Sequence, residues 1–85
     1  SKVQRVSGAP VALGREGRMV LFAGADSRVM GHRTYDVFAR RGGFSLGRIE
    51  YRNQWGTYAY YPHPEAVLNQ EILAEIYAML RELRG

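Results

Sequence analysis

Arginine and large aromatic side chains alternate in the segment LGRIEYRNQWGTYAYYP, which covers residues 46–62. Arginine forms bidentate contacts with phosphates and base edges, and aromatic rings provide platforms on which bases stack. A β-hairpin would bring both residue types to one face, because side chains alternate between the two faces of a strand. The residues that we expect to bind nucleic acid or another partner on this face are Arg40, Arg48, Arg52, Trp55 and Tyr61.

Other arrangements would give the same pattern of residues. Arg52 could cover Trp55 as a cation–π pair on an ordinary solvated face. Residues 1–33 could also fold over this face and bury it. Because Tyr, Trp and Arg are also enriched at protein–protein hot spots, a protein-interaction module is the alternative function.

Catalytic and metal-binding residues are sparse. The chain has two histidines, His32 and His63, and no cysteine. His32 and the nearby Asp26 could act as an acid–base pair, but no nucleophile or second carboxylate is tied to them by spacing. His63 lies between two prolines, where capping or exposure is expected, and two histidines give no metal-ligand spacing. We therefore expect a non-enzymatic protein that needs no cofactor and no metal.

The charge distribution favours an anionic partner on the strands. The formal net charge is +4, and eleven of the twelve basic residues are arginine, a bias that a GC-rich genome would also produce. Residues 1–33 hold six basic and two acidic side chains, residues 34–62 four and two, and residues 63–85 two and four. Loop arginines could extend the basic surface from Arg40. These loop arginines are Arg5, Arg15, Arg18, Arg28, Arg33 and Arg41.

Length and composition favour a single domain over residues 1–85. A chain of this size buries roughly 60% of its unfolded surface and holds one modest core. The absence of cysteine fits a reducing compartment. No apolar run approaches the ~20 residues of a membrane span, and no signal-peptide pattern opens the chain. We expect a cytoplasmic monomer or homodimer that does not bind membranes.

The N-terminal part, residues 1–33, has the pattern of a β-meander followed by a loop. Two β-prone runs, Lys2–Val6 and Pro10–Leu13, flank a turn at Ser7-Gly8. Residues 14–17 predict a second turn, Arg18–Ala23 a strand, and residues 24–33 a loop without clear periodicity.

Residues 34–61 predict a three-stranded antiparallel unit. Its strands are Thr34–Arg40, Phe44–Arg52 and Trp55–Tyr61, with turns at residues 41–43 and 53–54. If Asn53 and Gln54 form a two-residue hairpin loop, Arg52 lies opposite Trp55. The same alternation gives a core face that carries Ile49, Tyr51, Tyr58 and Tyr60. Gly47 predicts a bulge, because Leu46 and Ile49 break the alternation.

The C-terminal part predicts one amphipathic helix packed on the core face. Pro64 suits a first helical position, which gives a helix over 64–84, and Asn69 offers a second possible N-cap. The apolar residues at helical spacing are Leu68, Ile72, Leu73, Ile76, Tyr77, Met79, Leu80 and Leu83. The fold class is therefore α+β, an antiparallel meander with one C-terminal helix across one face.

The pattern L-G-x-I-x-Y, then W-x-x-Y-x-Y-x-P, then an apolar-striped helix resembles small uncharacterised proteins of phage and prophage genomes. The matching residues are Leu46, Gly47, Ile49, Tyr51, Trp55, Tyr58, Tyr60 and Pro62, with the helix over 65–84. The resemblance leaves the N-terminal third unmatched. It implies a phage-type accessory protein, such as an inhibitor or adaptor of a host protein, and brings no catalytic residues. The layout is also similar to the three-strand-plus-helix DNA-binding domains of some phage integrases and plant transcription factors.

Overall fold

A computed structural model describes residues 15–84 as one antiparallel sheet followed by one helix. The sheet has five strands in the order β1-β2-β3-β4-β5, so each strand pairs with its neighbour in the chain. The elements are β1 (Arg15–Glu16), β2 (Val20–Val29), β3 (His32–Ala39), β4 (Ser45–Arg52), β5 (Thr57–Pro62) and α1 (Gln70–Arg84). This architecture confirms the predicted α+β fold. The predicted strands Lys2–Val6 and Pro10–Leu13, together with Arg5, lie outside the described residues.

The core lies between α1 and the face of the sheet that carries Ile49. Five buried strand residues and three buried helix residues form one cluster. These residues are Val20, Phe22, Val37, Leu46, Ile49, Ile72, Ile76 and Met79. Tyr58 and Tyr60 pack against this cluster as predicted, and Tyr51 is half-buried outside it. The prediction that Tyr51 packs beneath the helix is therefore wrong.

The helix begins at Gln70, so the prediction of a start at Pro64 is wrong and the alternative N-cap is confirmed. The Ile72 N–H donates to Asn69 Oδ1 at 2.8 Å. An asparagine cap satisfies one of the N–H groups that the first turn leaves without a partner. Leu73 and Tyr77, predicted on the core stripe, are exposed instead.

The prediction of a loop over residues 24–33 is also wrong. Strand β2 continues to Val29, and β3 starts at His32, so only Met30 and Gly31 form the turn. Both turn residues have positive φ, 54° and 81°, as a two-residue type I′ hairpin requires. An irregularity in strand pairing between Gly24 and Arg28 interrupts the alternation, and for this reason the sequence pattern shows no clear period there.

The first two strands differ from the prediction by a few residues. Residues 15 and 16 form β1, which pairs with Leu21 and Phe22, whereas the sequence predicted a turn at 14–17. The turn lies just after β1, where the Gly17 N–H donates to Val20 O at 2.8 Å. Strand β2 therefore begins at Val20 rather than Arg18.

The β4–β5 hairpin has the predicted faces but a longer loop. Arg52 pairs with Thr57, so residues 53–56 form a four-residue loop, and the two-residue loop predicted at Asn53 and Gln54 is wrong. Because the register moves by two residues, the residues that remain in β4 and β5 keep their predicted faces, whereas Trp55 lies in the loop. The predicted bulge is confirmed, since Val37 pairs with Gly47 and Phe38 with Ser45, which leaves Leu46 without an opposite residue.

Candidate functional site

Three of the predicted site residues meet at the tip of the β4–β5 hairpin. Arg52 Nη1 donates to the Tyr61 hydroxyl at 3.1 Å, and the Arg52 guanidinium carbon lies 5.6 Å from the centroid of the Trp55 ring. Trp55 is in the loop rather than in a strand, and 68% of its surface is exposed. Arg52 thus connects the exposed indole to the sheet.

Arg48 lies on the predicted face, opposite Tyr61, but carboxylates surround its guanidinium. Arg48 Nη2 lies 2.7 Å from Glu50 Oε2, and Nε lies 3.9 Å from Asp36 Oδ1. Any phosphate that approached Arg48 would compete with two negative charges. One guanidinium beside two carboxylates leaves the middle of this face without excess positive charge.

Arg40 lies apart from the other predicted site residues. It follows the end of β3, and its Nη1 donates to Gly17 O at 3.2 Å. Arg40 lies four residues beyond Asp36, the cross-strand partner of Arg48, which corresponds to roughly 13 Å along the strand direction. Arg40 and the hairpin tip therefore lie towards opposite ends of the sheet.

An aromatic cluster that sequence reasoning did not predict lies beside the hairpin tip. The His32 ring stacks on the Tyr51 ring, with centroids 3.9 Å apart and planes at 14°. Tyr58 presents its edge to both rings, at 5.9 Å from His32 and 5.8 Å from Tyr51. The shared face of Tyr51 and Tyr58 was visible in the sequence. The position of His32 was not, because it depends on the β2–β3 turn.

These rings line a cleft of about 690 Å³, here named the hairpin cleft. Its walls come from the start of β3, the β4–β5 hairpin and the C-terminal turn of α1. The lining residues are His32, Tyr51, Trp55, Gly56, Thr57, Tyr58, Leu83 and Arg84. Within the part of the chain that the structure describes, the lining includes one arginine and no carboxylate. The hairpin cleft therefore combines aromatic rings with positive charge.

The pKa of the Tyr58 hydroxyl reflects the burial and the charges beside the hairpin cleft. Burial raises the pKa of Tyr58 above its ordinary value of 10.0, and the nearby Tyr35 and Tyr51 raise it further, while Arg28 lowers it. The phenol is therefore neutral at physiological pH. Arg28, whose Nη1 donates to Gly31 O in the β2–β3 turn, therefore lies close enough to the Tyr58 hydroxyl to act on it electrostatically.

The histidines do not form an acid–base site among the described residues. No hydrogen bond or ion pair within residues 15–84 joins His32 to Asp26, and the His32 ring stacks on Tyr51 instead. His32 also belongs to β3 rather than to a loop. His63 is exposed, one of the two expected outcomes, and its Nδ1 accepts a hydrogen bond from the Glu65 N–H at 3.1 Å in the turn that precedes α1. Over the same residues, no group of three or more His, Asp or Glu side chains is placed to hold a metal ion.

Within residues 15–84, no helix has the length and apolar character needed to cross a membrane. No protein-family model matches the chain, and neither curated proteins nor solved structures include a significantly similar one.

Proposed function

We propose that this protein is a non-enzymatic module that binds single-stranded nucleic acid at the hairpin cleft. One observation carries this proposal: the exposed Trp55 ring lies beside the Arg52 guanidinium, at the rim of an aromatic cleft whose described lining residues include Arg84 and no carboxylate. A cytoplasmic location and a phage-type origin remain predictions.

The chemistry of the hairpin cleft suits unpaired bases. Every base has a π-face, and stacking on an aromatic side chain contributes about 1–3 kcal/mol per base. Trp55 offers an exposed face for such stacking, and Arg84, which lines the hairpin cleft, can contact a flanking phosphate. Arg52 lies beside the Trp55 ring but on the opposite face of the β4–β5 hairpin from Tyr51 and Tyr58, so its part is to hold the indole at the rim of the cleft. In a duplex, the faces of the bases are stacked on each other and are hidden from the cleft. We therefore expect a preference for single strands.

The proposed site differs from the sequence prediction in its centre. It keeps Arg52, Trp55 and Tyr61, with Tyr61 holding Arg52 in place through its hydroxyl. It leaves out Arg48, because Asp36 and Glu50 already surround that guanidinium. It also leaves out Arg40, which lies towards the other end of the sheet.

The test uses the single tryptophan of the chain as a reporter. Single-stranded oligodeoxythymidine and oligouridine are added to the protein at 50 mM salt. A duplex of the same length is added in a parallel titration for comparison. We expect quenching of Trp55 fluorescence by the single strands and a fall in affinity as salt rises, because bound phosphates release counterions. In anisotropy measurements with labelled oligonucleotides, Trp55→Ala should weaken binding roughly 5- to 150-fold, as expected for the loss of one stacking contact.

The helix provides a matched control pair. The Arg81 guanidinium carbon lies 5.7 Å from the centroid of the exposed Tyr77 ring, almost the geometry of Arg52 and Trp55, but neither residue lines the hairpin cleft. Tyr77→Ala and Arg81→Ala should leave affinity unchanged. Unchanged affinity of a folded Trp55→Ala variant would contradict the proposal. Equal losses of affinity from variants of the Trp55–Arg52 pair and of the Tyr77–Arg81 pair would contradict it as well.

A further inference from the structure

Two cavities lie at the end of the sheet opposite the hairpin cleft and share a wall. Their volumes are about 440 and 600 Å³, and Ala39 and Ile72 line both. Together they form one continuous groove, here named the terminal groove, between the first turn of α1, the end of β3 and the residues just before β2. This groove shares no lining residue with the hairpin cleft.

One half of the terminal groove is apolar. Phe44 and Val67 line it, with 71% and 86% of their surfaces exposed. They are the two most exposed large hydrophobic residues of the described chain. The Phe44 ring lies across Gly42, where the absence of a side chain lets the ring approach the turn. Two exposed apolar side chains on one buried floor, formed by Leu46 and Ile72, are typical of an interaction site rather than a solvated surface.

The other half of the terminal groove is cationic. Arg18, Arg40 and Arg41 line it together with Met19, and none of the described residues that line this half is acidic. The hydrogen bond from Arg40 Nη1 to Gly17 O holds the turn before β2 against the end of β3. That contact brings the Arg18 and Arg41 sides of the groove together. Among the described residues, Glu65 is the one carboxylate that lines the terminal groove, and it belongs to the apolar half.

We propose that the terminal groove binds an extended acidic peptide segment of a partner protein. An apolar side chain of the peptide packs between Phe44 and Val67, and the carboxylates that follow it contact Arg18 and Arg41. Arginine matches the planar carboxylate with paired N–H donors. A nucleic-acid strand is a poorer occupant, because it would place phosphates along the apolar half beside Glu65, whereas the peptide places an apolar side chain there.

The probe is a labelled synthetic peptide with two leucines followed by three glutamates, added to the whole chain with ¹⁵N labelling. We expect amide shift changes at Ala39, Phe44 and Ile72, and no changes around Trp55. The double variant Arg18→Ala/Arg41→Ala should weaken binding at least about tenfold, and Phe44→Ala at least about fivefold, as expected when anchors of an interface are truncated. Arg81→Ala and Met30→Ala, which remove an exposed arginine and an exposed apolar side chain elsewhere, should change affinity less than twofold.

Several results would overturn this proposal. They are equal binding of a peptide with lysines in place of the glutamates, shift changes confined to the hairpin cleft, and no shift change at 1 mM peptide. Displacement of the peptide by single-stranded DNA, by a fatty acid, or by concentration-dependent dimerisation of the chain would assign the groove to a different occupant. Failure here leaves nucleic-acid binding untouched, because Trp55→Ala tests the hairpin cleft and should not alter peptide affinity.

Discussion

The carboxylate of Glu75, on α1, accepts hydrogen bonds from the backbone N–H of Met19 at 3.0 and 3.1 Å. The next N–H, of Val20, donates to the same carboxylate at 3.1 Å. These bonds join residues more than fifty positions apart and fix the start of β2 against the middle of the helix. Gly17 makes room for this contact, because a Cβ atom there would collide with Glu75 Oε1.

Glu75→Ala should lower the free energy of unfolding by about 2–3 kcal/mol, since hydrogen bonds to a charged acceptor are lost and two backbone donors lose their partner. Glu75→Gln should cost less, because its amide oxygen can still accept. Chemical denaturation with urea measures the difference. Glu71→Ala, which removes an exposed glutamate of the first helical turn, should cost under about 1 kcal/mol. Equal costs for Glu71→Ala and Glu75→Ala would show that the tertiary bonds add nothing.

Gly47→Ala should be strongly destabilising because both the backbone conformation and the available space require glycine. Gly47 has φ of 131°, and an added Cβ would collide with Tyr61 O and lie 2.9 Å from Pro62 Cα. We expect a loss of about 3 kcal/mol or more in the free energy of unfolding. Gly56→Ala is the matched control, since Gly56 also has positive φ but no atom within 4 Å of the added Cβ. A comparable loss in both variants would exclude a role for the collision.

Ile76→Ala should cost about 2–5 kcal/mol, because it opens a cavity beneath the helix where 2% of Ile76 is exposed. Leu73→Ala removes a side chain from the same helix that is 47% exposed, and should cost much less. Thermal unfolding followed by circular dichroism compares the two. Similar losses would mean that α1 does not dock on the sheet through the Ile76 face.

Tyr60 should make stability fall at alkaline pH. Burial raises the pKa of Tyr60 above 10.0, and the unfolded chain keeps the ordinary value. The folded state therefore holds its proton more tightly, so this contribution is fully present below about pH 10 and is lost as pH rises through the folded-state pKa.

Tyr60→Phe separates this titration from the hydrogen bond. The Tyr60 hydroxyl donates to Leu46 O, which also accepts from the His63 N–H. Its loss should lower the free energy of unfolding by about 1 kcal/mol at pH 7. Above pH 10 the variant should lose stability less steeply than the parent, although Tyr58 still contributes. Parallel curves across pH 9–12 would assign the alkaline effect to other groups.

Tyr61→Phe tests whether Arg52 is held in place for binding. The variant removes the acceptor of the 3.1 Å bond from Arg52 Nη1 and leaves the ring. We expect a few-fold loss of affinity for single-stranded DNA in anisotropy titrations, smaller than the loss from Trp55→Ala. A loss equal to that of Arg52→Ala would mean that Arg52 acts only through this bond, whereas no loss would remove Tyr61 from the site.

Part of the candidate site was predictable from the sequence, and the rest depended on turns. The faces of β4 and β5 followed from alternation and survived an error of two residues in register. The predicted hairpin loop is two residues too short, because the sequence pattern does not show that Gly56, with φ of 66°, is the last residue of the loop. Trp55 therefore moved from a strand into the exposed loop. The sequence did not predict the β2–β3 turn, because methionine rarely takes positive φ. The stacking of His32 on Tyr51 depends on that turn and was therefore not predicted either.

Periodicity and composition were sufficient to predict the α+β class, the antiparallel order of the later strands, the core role of Ile49 and Ile76, and the absence of cysteine chemistry. These follow from local periods and composition, which need no knowledge of distant neighbours. The tertiary structure alone decided that Asp36 would balance Arg48 and that Glu75 would hold the start of β2. It also brought Arg84 to the hairpin cleft. Each of these contacts joins separate elements, so its existence depends on strand register and on the position at which the helix docks.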